Sequence, residues 1–233
     1  MKLALIIGGV LAAGFIALAA PVAFGAWNPW ASSYPQGVDV SAHQGPIDWR
    51  TLSATVRFAY IKATEGADYV DPRFAFNWSE AKRVGLAHGA YHYFTLCRTG
   101  AQQAKNFLDT VPRDAGTMPL AVDLEHMGVC RRGPTLADPA REIHAFLDIV
   151  QKRTGARPIL YTSQEFHDAH LTDFRGERFW IRSLVTPPAF RQREWVLWQY
   201  HNMARRRGIS GPVDLDAFRG DERAFQRFRG GAT

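Results

Sequence analysis

The sequence predicts an α/β fold, a modified TIM-like (β/α) barrel with eight strands and some helices missing in its second half. Three observations predict it. Short apolar runs alternate with amphipathic, capped segments along most of the chain. After residue 162 the connections become too short for full helices. Of the 233 residues, about 200 remain once the first segments are set aside, the size of one large core rather than two domains. An open doubly wound sheet is the alternative arrangement of the same elements.

The chain opens on Met1-Lys2, followed by an uncharged apolar segment, and its next charge is Asp39. Residues 1–26 read as a signal peptide, with Ala23 and Gly25 supplying the small residues of a cleavage site, or as an uncleaved membrane anchor. Both readings export the remainder, to the periplasm or the medium. Residues 27–35, with their prolines and serines, read as a linker, residues 36–220 as the barrel, and residues 221–233 as a basic C-terminal tail.

Within the barrel the strands are expected at residues 37–41, 57–62, 87–94, 120–125, 157–162, 179–182, 196–200 and 213–217. Most are unbroken apolar runs, as strands covered on both faces require. The first helix takes Asp71-Pro72 as N-cap and N1, carries Phe74, Trp78 and Ala81 on one face, and stops at Gly85. A second begins at the capping box of Thr99 and Gln102. A third starts at Asp138-Pro139, presents Ile143, Phe146, Leu147 and Val150 to the core, and ends at Gly155.

Cys97 and Cys130 follow the ends of the third and fourth strands. In an exported chain they read as a disulfide tying two loops on one rim, with free thiols as the alternative; two thiols without a matching histidine cluster are too few for a metal. The 28 Lys and Arg exceed the 22 Asp and Glu, giving +6. Arginines gather at residues 205–207 and after Phe218, which is solvated surface or an attraction to an envelope polyanion. No nucleic-acid motif accompanies them.

Function is written in the acids. Leu120 to Glu125 ends in two carboxylates one residue apart, and alternation along a strand points Asp123 and Glu125 the same way, about 6–7 Å apart. Asp39 lies near the end of the first strand, Glu65 beyond the second, and Asp214 in the eighth, which closes against the first. In such a barrel the carboxyl ends of the strands surround the active site. Tyr91, Tyr93, Tyr161, Trp180, Trp198 and Tyr200 follow the same strands. Taken singly, each of these rings reads as core before it reads as a ligand contact, but an acidic pocket with aromatic walls suits a carbohydrate.

The segments Gly37-Val38-Asp39-Val40-Ser41, Ile47-Asp48-Trp49, Ile61-Lys62-Ala63-Thr64-Glu65-Gly66, Gly89-Ala90-Tyr91-His92-Tyr93, Asp123-Leu124-Glu125, Leu197-Trp198-Gln199-Tyr200 and Val213-Asp214-Leu215-Asp216 together resemble the family 25 glycoside hydrolases, the Chalaropsis-type lysozymes. The resemblance runs over residues 36–218, in order. It implies cleavage of the β-1,4 bond between N-acetylmuramic acid and N-acetylglucosamine in peptidoglycan by a monomer, without a metal or organic cofactor. It places the general acid on Glu125 and the other catalytic carboxylates on Asp123, Asp39 and Asp214; of the residues following the rim, Tyr91, Tyr161, Trp198 and Gln199 are the expected substrate contacts. The chemistry agrees: the leaving oxygen needs a proton, and the oxocarbenium-like carbon needs negative charge nearby. Glu125 then has to stay protonated through burial and neighbouring charge, with Asp123 ionised and better hydrogen-bonded. Asp123 acts either as nucleophile or as stabiliser of a ring formed by the substrate's acetamido group. The chain departs from the family at Trp180-Ile181-Arg182-Ser183-Leu184, where many members continue from the tryptophan through Ala to an aromatic residue. A hydrolase of chitin-like polymers and a non-catalytic envelope-binding protein are the other readings.

Overall fold

The computed structural model describes residues 28–113, 118–126, 130, 135–184 and 186–230. The leader expected over residues 1–26 lies outside the described residues. Nine strands are described: β1 (Gln36–Val40), β2 (Phe58–Glu65), β3 (Tyr69–Val70), β4 (Ala87–Tyr93), β5 (Ala121–Leu124), β6 (Ile159–Thr162), β7 (Phe179–Arg182), β8 (Trp195–Ala204) and β9 (Val213–Phe218). Among them run helices α1 (Trp49–Ser53), α2 (Phe74–Arg83), α3 (Gly100–Thr110), α4 (Pro139–Thr154), α5 (Gln164–His170) and α6 (Glu222–Arg229).

Eight strands close into a barrel, because β1 pairs in parallel with β2 and antiparallel with β9. The ninth, β3, is a two-residue addition on β2 that the sequence reading omits. Parallel pairing runs from β1 through β2, β4, β5, β6 and β7 to β8, while β9 returns antiparallel to both neighbours. That reversal positions the site. The first residues of β9 lie on the rim where the other strands end, so Asp214 stands opposite Asp39 in the ladder.

Alternation sorts the side chains into two cores. Inward residues Phe58, Tyr60, Tyr91, Ile159, Tyr161, Trp180, Leu197 and Phe218 fill the barrel, and outward residues such as Ile61, Leu160, Trp198 and Leu215 pack beneath the helices. Gly89 keeps the interior passable: a Cβ there would lie 2.6 Å from the Tyr60 ring. The base of the barrel is plugged by α6, whose Phe225 and Phe228 meet Phe58 and Phe218. This helix occupies the segment read as a basic tail, and it still presents Arg223 and Arg227 to solvent. Residues 28–35, read as linker, fold back on the barrel, with Ala31 wholly buried and Tyr34 edge-on to Trp195.

The helices keep their expected caps with one exception. Thr99 and Gln102 form the capping box of α3, and Asp138 caps α4, which ends at a left-handed Gly155. The exception is α2, which starts after Arg73 rather than at Asp71. The carboxylate of Asp71 instead accepts from the Ala42 and Arg73 amides, at 2.8 and 2.9 Å, and so ties down the loop after β1. Where α3 meets α4, a Cβ on Gly100 would come within 1.8 Å of the Glu142 carbonyl, so only glycine permits the approach.

Cys97 and Cys130 form a disulfide, joining the loops after β4 and β5. The bridge closes a loop of 33 residues, which restricts the unfolded chain by about 4 kcal/mol. Replacing both cysteines by serine is expected to lower stability by about that amount, measured by urea unfolding, with the midpoint falling and the slope rising because the freed unfolded chain exposes more surface.

Candidate active site

Each catalytic candidate reaches the rim by the parity of its strand. Asp123 faces inward from β5, and Glu125, one residue past its end, points the same way. Tyr91, Tyr161 and Gln199 face inward from β4, β6 and β8. Together with Asp39, Asp214, Glu65, Tyr93, Trp180, Arg182, Asn202, His43, His126 and Lys62 they line a cavity of about 740 Å³. The structure thus brings together all four expected catalytic acids and three of the four expected contacts. The fourth, Trp198, is neighbour to Gln199 and faces outward: it is wholly buried, and its indole N–H donates to the Ser183 carbonyl at 2.6 Å.

Hydrogen bonds fix one wall. Tyr161 donates to Gln199 Oε1 at 3.0 Å, and Gln199 Nε2 donates to Asp39 Oδ2 at 2.9 Å. Asp214, opposite Asp39 in the ladder, and Asp216 lie close enough for their charges and that of Asp39 to act on one another, and Asp216 Oδ2 is buried without a partner. Asp216, wholly buried, receives the Trp180 indole N–H at 2.8 Å. That indole packs against Tyr60, Tyr91 and Tyr161, with centroids 4.8, 6.4 and 5.0 Å away, and forms the floor.

On the opposite wall, the β2–β4 register shifts between Lys62 and Thr64. A bulge of this kind resets strand parity, so Lys62 and Glu65 share the inner face. Lys62 Nζ bonds Glu65 at 2.6 Å and sits 4.8 Å over the Tyr93 ring. The outward neighbour His92 is structural. It is wholly buried between Thr64 and Gln103, and burial pushes its pKa down to about 3, so it stays neutral.

The electrostatics differ from the expectation for Asp123. Far from being better hydrogen-bonded, its Oδ1 is buried without a partner. Burial first, then the charges of Glu125 and Asp39, hold the Asp123 carboxyl well above the usual range. Burial also raises Glu125, against the opposing pull of Arg182 and Lys62. The two acids therefore titrate as a pair that retains a proton. Burial and neighbouring charge raise Asp39 and Asp216 as well, and Asp214 is pushed up to about 9 by burial and Asp39.

These raised values carry a stability consequence. The folded protein binds more protons than the unfolded chain above the unfolded aspartate pKa of about 4. The stability so contributed is complete below that pH and is lost as pH rises toward about 9, the folded-state value of Asp214. Asp214→Asn is expected to remove the Asp214 share of this dependence, raising the melting temperature by on the order of 2–8 °C at pH 9 and by less at pH 5. Melting curves of wild type and variant at the two pH values check it.

Asp216, Lys62 and Arg182 are site residues that the sequence reading leaves unassigned. Each carried a signal. Asp216 stands two residues from Asp214 on a strand, the same relation that pairs Asp123 with Glu125. Lys62 is a lone charge inside an apolar run, and Arg182 shares the parity of Trp180.

Comparison with known proteins agrees with this geometry. The family model for glycosyl hydrolases family 25 matches residues 38–209. Lysozyme M1 of Streptomyces globisporus is 33% identical over 209 residues, spanning 83% of this chain and 70% of that protein. A family 25 glycosyl hydrolase from Bacillus anthracis superposes with a TM-score of 0.75 at 34% identity, covering 84% of this chain and 94% of that one. The bacterial lysozyme from Streptomyces coelicolor gives 0.74 at 31%, covering 87% and 100%. The chain belongs to the glycosyl hydrolases of family 25 and is a glycoside hydrolase.

Proposed function

We propose that the protein hydrolyses peptidoglycan at the β-1,4 bond between N-acetylmuramic acid and N-acetylglucosamine. The observation that carries this reading is the buried Asp123 Oδ1 without a partner, beside Glu125 in an acidic cleft floored by Trp180. A buried acceptor left open in this way is costly unless a ligand supplies the donor. The acetamido N–H of the muramic acid residue fits that need.

Glu125 holds the proton for the leaving oxygen. Asp123 orients the acetamido group, whose carbonyl oxygen attacks the anomeric carbon, and its negative charge offsets the positive ring that forms. Water then opens the ring with Glu125 acting as base, so configuration is retained. Asp39, bonded to Gln199, holds the sugar-facing wall in place. Tyr91 and Tyr161 offer ring surface and hydroxyls to the sugar.

Substrate and leader agree on location. Residues 1–26 export or anchor the chain, the enzyme works outside the cytoplasm as a monomer, and the exposed arginines of α6 favour an anionic wall. To test the reaction, purified peptidoglycan is digested with residues 26–233 and the new reducing ends are reduced and identified. Muramic acid ends are the expected result; N-acetylglucosamine ends, or cleavage of chitin oligomers in preference to peptidoglycan, would remove the assignment.

A further inference from the structure

Arg182 is a cation in an acidic cavity that makes neither a hydrogen bond nor an ion pair through its guanidinium among the described residues. The cavity's other cation is occupied, since Lys62 bonds Glu65 and covers Tyr93. Arg182 ends β7, and the register fixes its place. Asp123 aligns with Tyr161 and Tyr161 with Trp180, while Leu124 aligns with Thr162 and Thr162 with Ile181. Glu125 and Arg182 therefore stand level on lines of chain two strands apart, about 10 Å between Cα atoms. The charge of Arg182 reaches both Glu125 and Asp214, yet it contacts neither.

A fork of five donors held open beside the reacting bond matches a carboxylate, which a guanidinium binds through two parallel hydrogen bonds. Resting on the peptidoglycan reading above, we propose that Arg182 binds the free carboxylate of the muramic acid O-lactyl group, and that the enzyme favours glycan strands whose stem peptides have been removed. In stem-bearing strands that carboxyl is tied up as an amide and carries no charge. In a denuded strand it is an anion, and without Arg182 it would meet Asp39, Asp123, Glu125 and Asp214 with only Lys62, already paired with Glu65, to offset them. The reaction that supplies such a strand is amide hydrolysis: water cleaves the bond between the lactyl carbonyl and the first amine of the stem, leaving carboxylate on the sugar and ammonium on the peptide. The enzyme would then act after that step.

The test uses three substrates: denuded glycan oligomers with free lactyl carboxylates, the same oligomers with those carboxyls converted to methylamides, and oligomers that keep their stems. Wild type is expected to favour the free acid over the methylamide by about ten- to a hundredfold in kcat/KM, chiefly through KM. Arg182→Ala is expected to abolish that preference, and Arg182→Lys, with charge but no fork, to keep part of it. Circular dichroism and melting curves establish that the variants are folded. Equal wild-type kcat/KM on acid and methylamide would overturn the proposal, as would a preference that survives in Arg182→Ala. Activity confined to stem-bearing strands and lost in Arg182→Ala would move the bound carboxylate to the stem and overturn the lactyl assignment. Absence of muramic acid ends from all three substrates would overturn the underlying reaction itself.

Discussion

Glu125→Gln is expected to lower kcat on polymeric glycan by about 10²–10⁴-fold with the barrel intact. The side chain lies one residue beyond β5, and its carboxyl makes no hydrogen bond among the described residues. Glutamine keeps its volume and removes the transferable proton, so little structure is at stake and the loss is chemical. Binding is expected to change much less than turnover, because the proton moves only as the bond breaks. Burial raises Glu125, so the wild-type rate is expected to fall on the alkaline side of that raised value as the pair loses its proton. In Glu125→Gln this alkaline limb should disappear. A pH profile of initial rates, taken beside a melting curve, measures both effects.

Asp123→Asn is expected to cost about 10²–10³-fold in kcat. The change removes charge from the point where the positively charged ring forms, and it turns a buried, unpartnered acceptor into an amide. If Asp123 works through the substrate's acetamido group, then removing that acetyl group should slow the wild type by a similar factor. The two losses should not multiply when combined, because each breaks the same interaction. Multiplying losses, or a glycosyl adduct on Asp123 detected by mass spectrometry with a 2-fluoro sugar, would make Asp123 the nucleophile instead.

Much of this site was legible because its chemistry obeys strand parity. Asp123 and Glu125 share a face by spacing alone, and Asp39 and Asp214 meet because the first and last strands close the barrel. Other features were readable but are easily passed over. The turn residues Gly208, Gly211 and Pro212 between β8 and β9 are the mark of a hairpin, and the resulting reversal puts Asp214 on the rim. Asp221 followed by Phe225 and Phe228 has the cap and spacing of the helix that plugs the base. Trp198 misled because residue type outweighed parity: with Gln199 inward, its neighbour had to face the helices. The state of Asp123 was not legible at all. Whether a carboxylate finds donors depends on which backbone amides the loops bring to it, and no local pattern encodes that.

The claim that Glu125 is the proton donor is tested most directly by leaving-group dependence. Wild type and Glu125→Gln are compared on peptidoglycan strands and on an aryl glycoside of the same disaccharide whose phenol departs without protonation. In kcat/KM, which reads bond cleavage alone, the variant is expected to lose its activity on the glycan and to retain far more on the aryl glycoside, because only the sugar leaving group needs the proton. Equal losses on both substrates would contradict the claim.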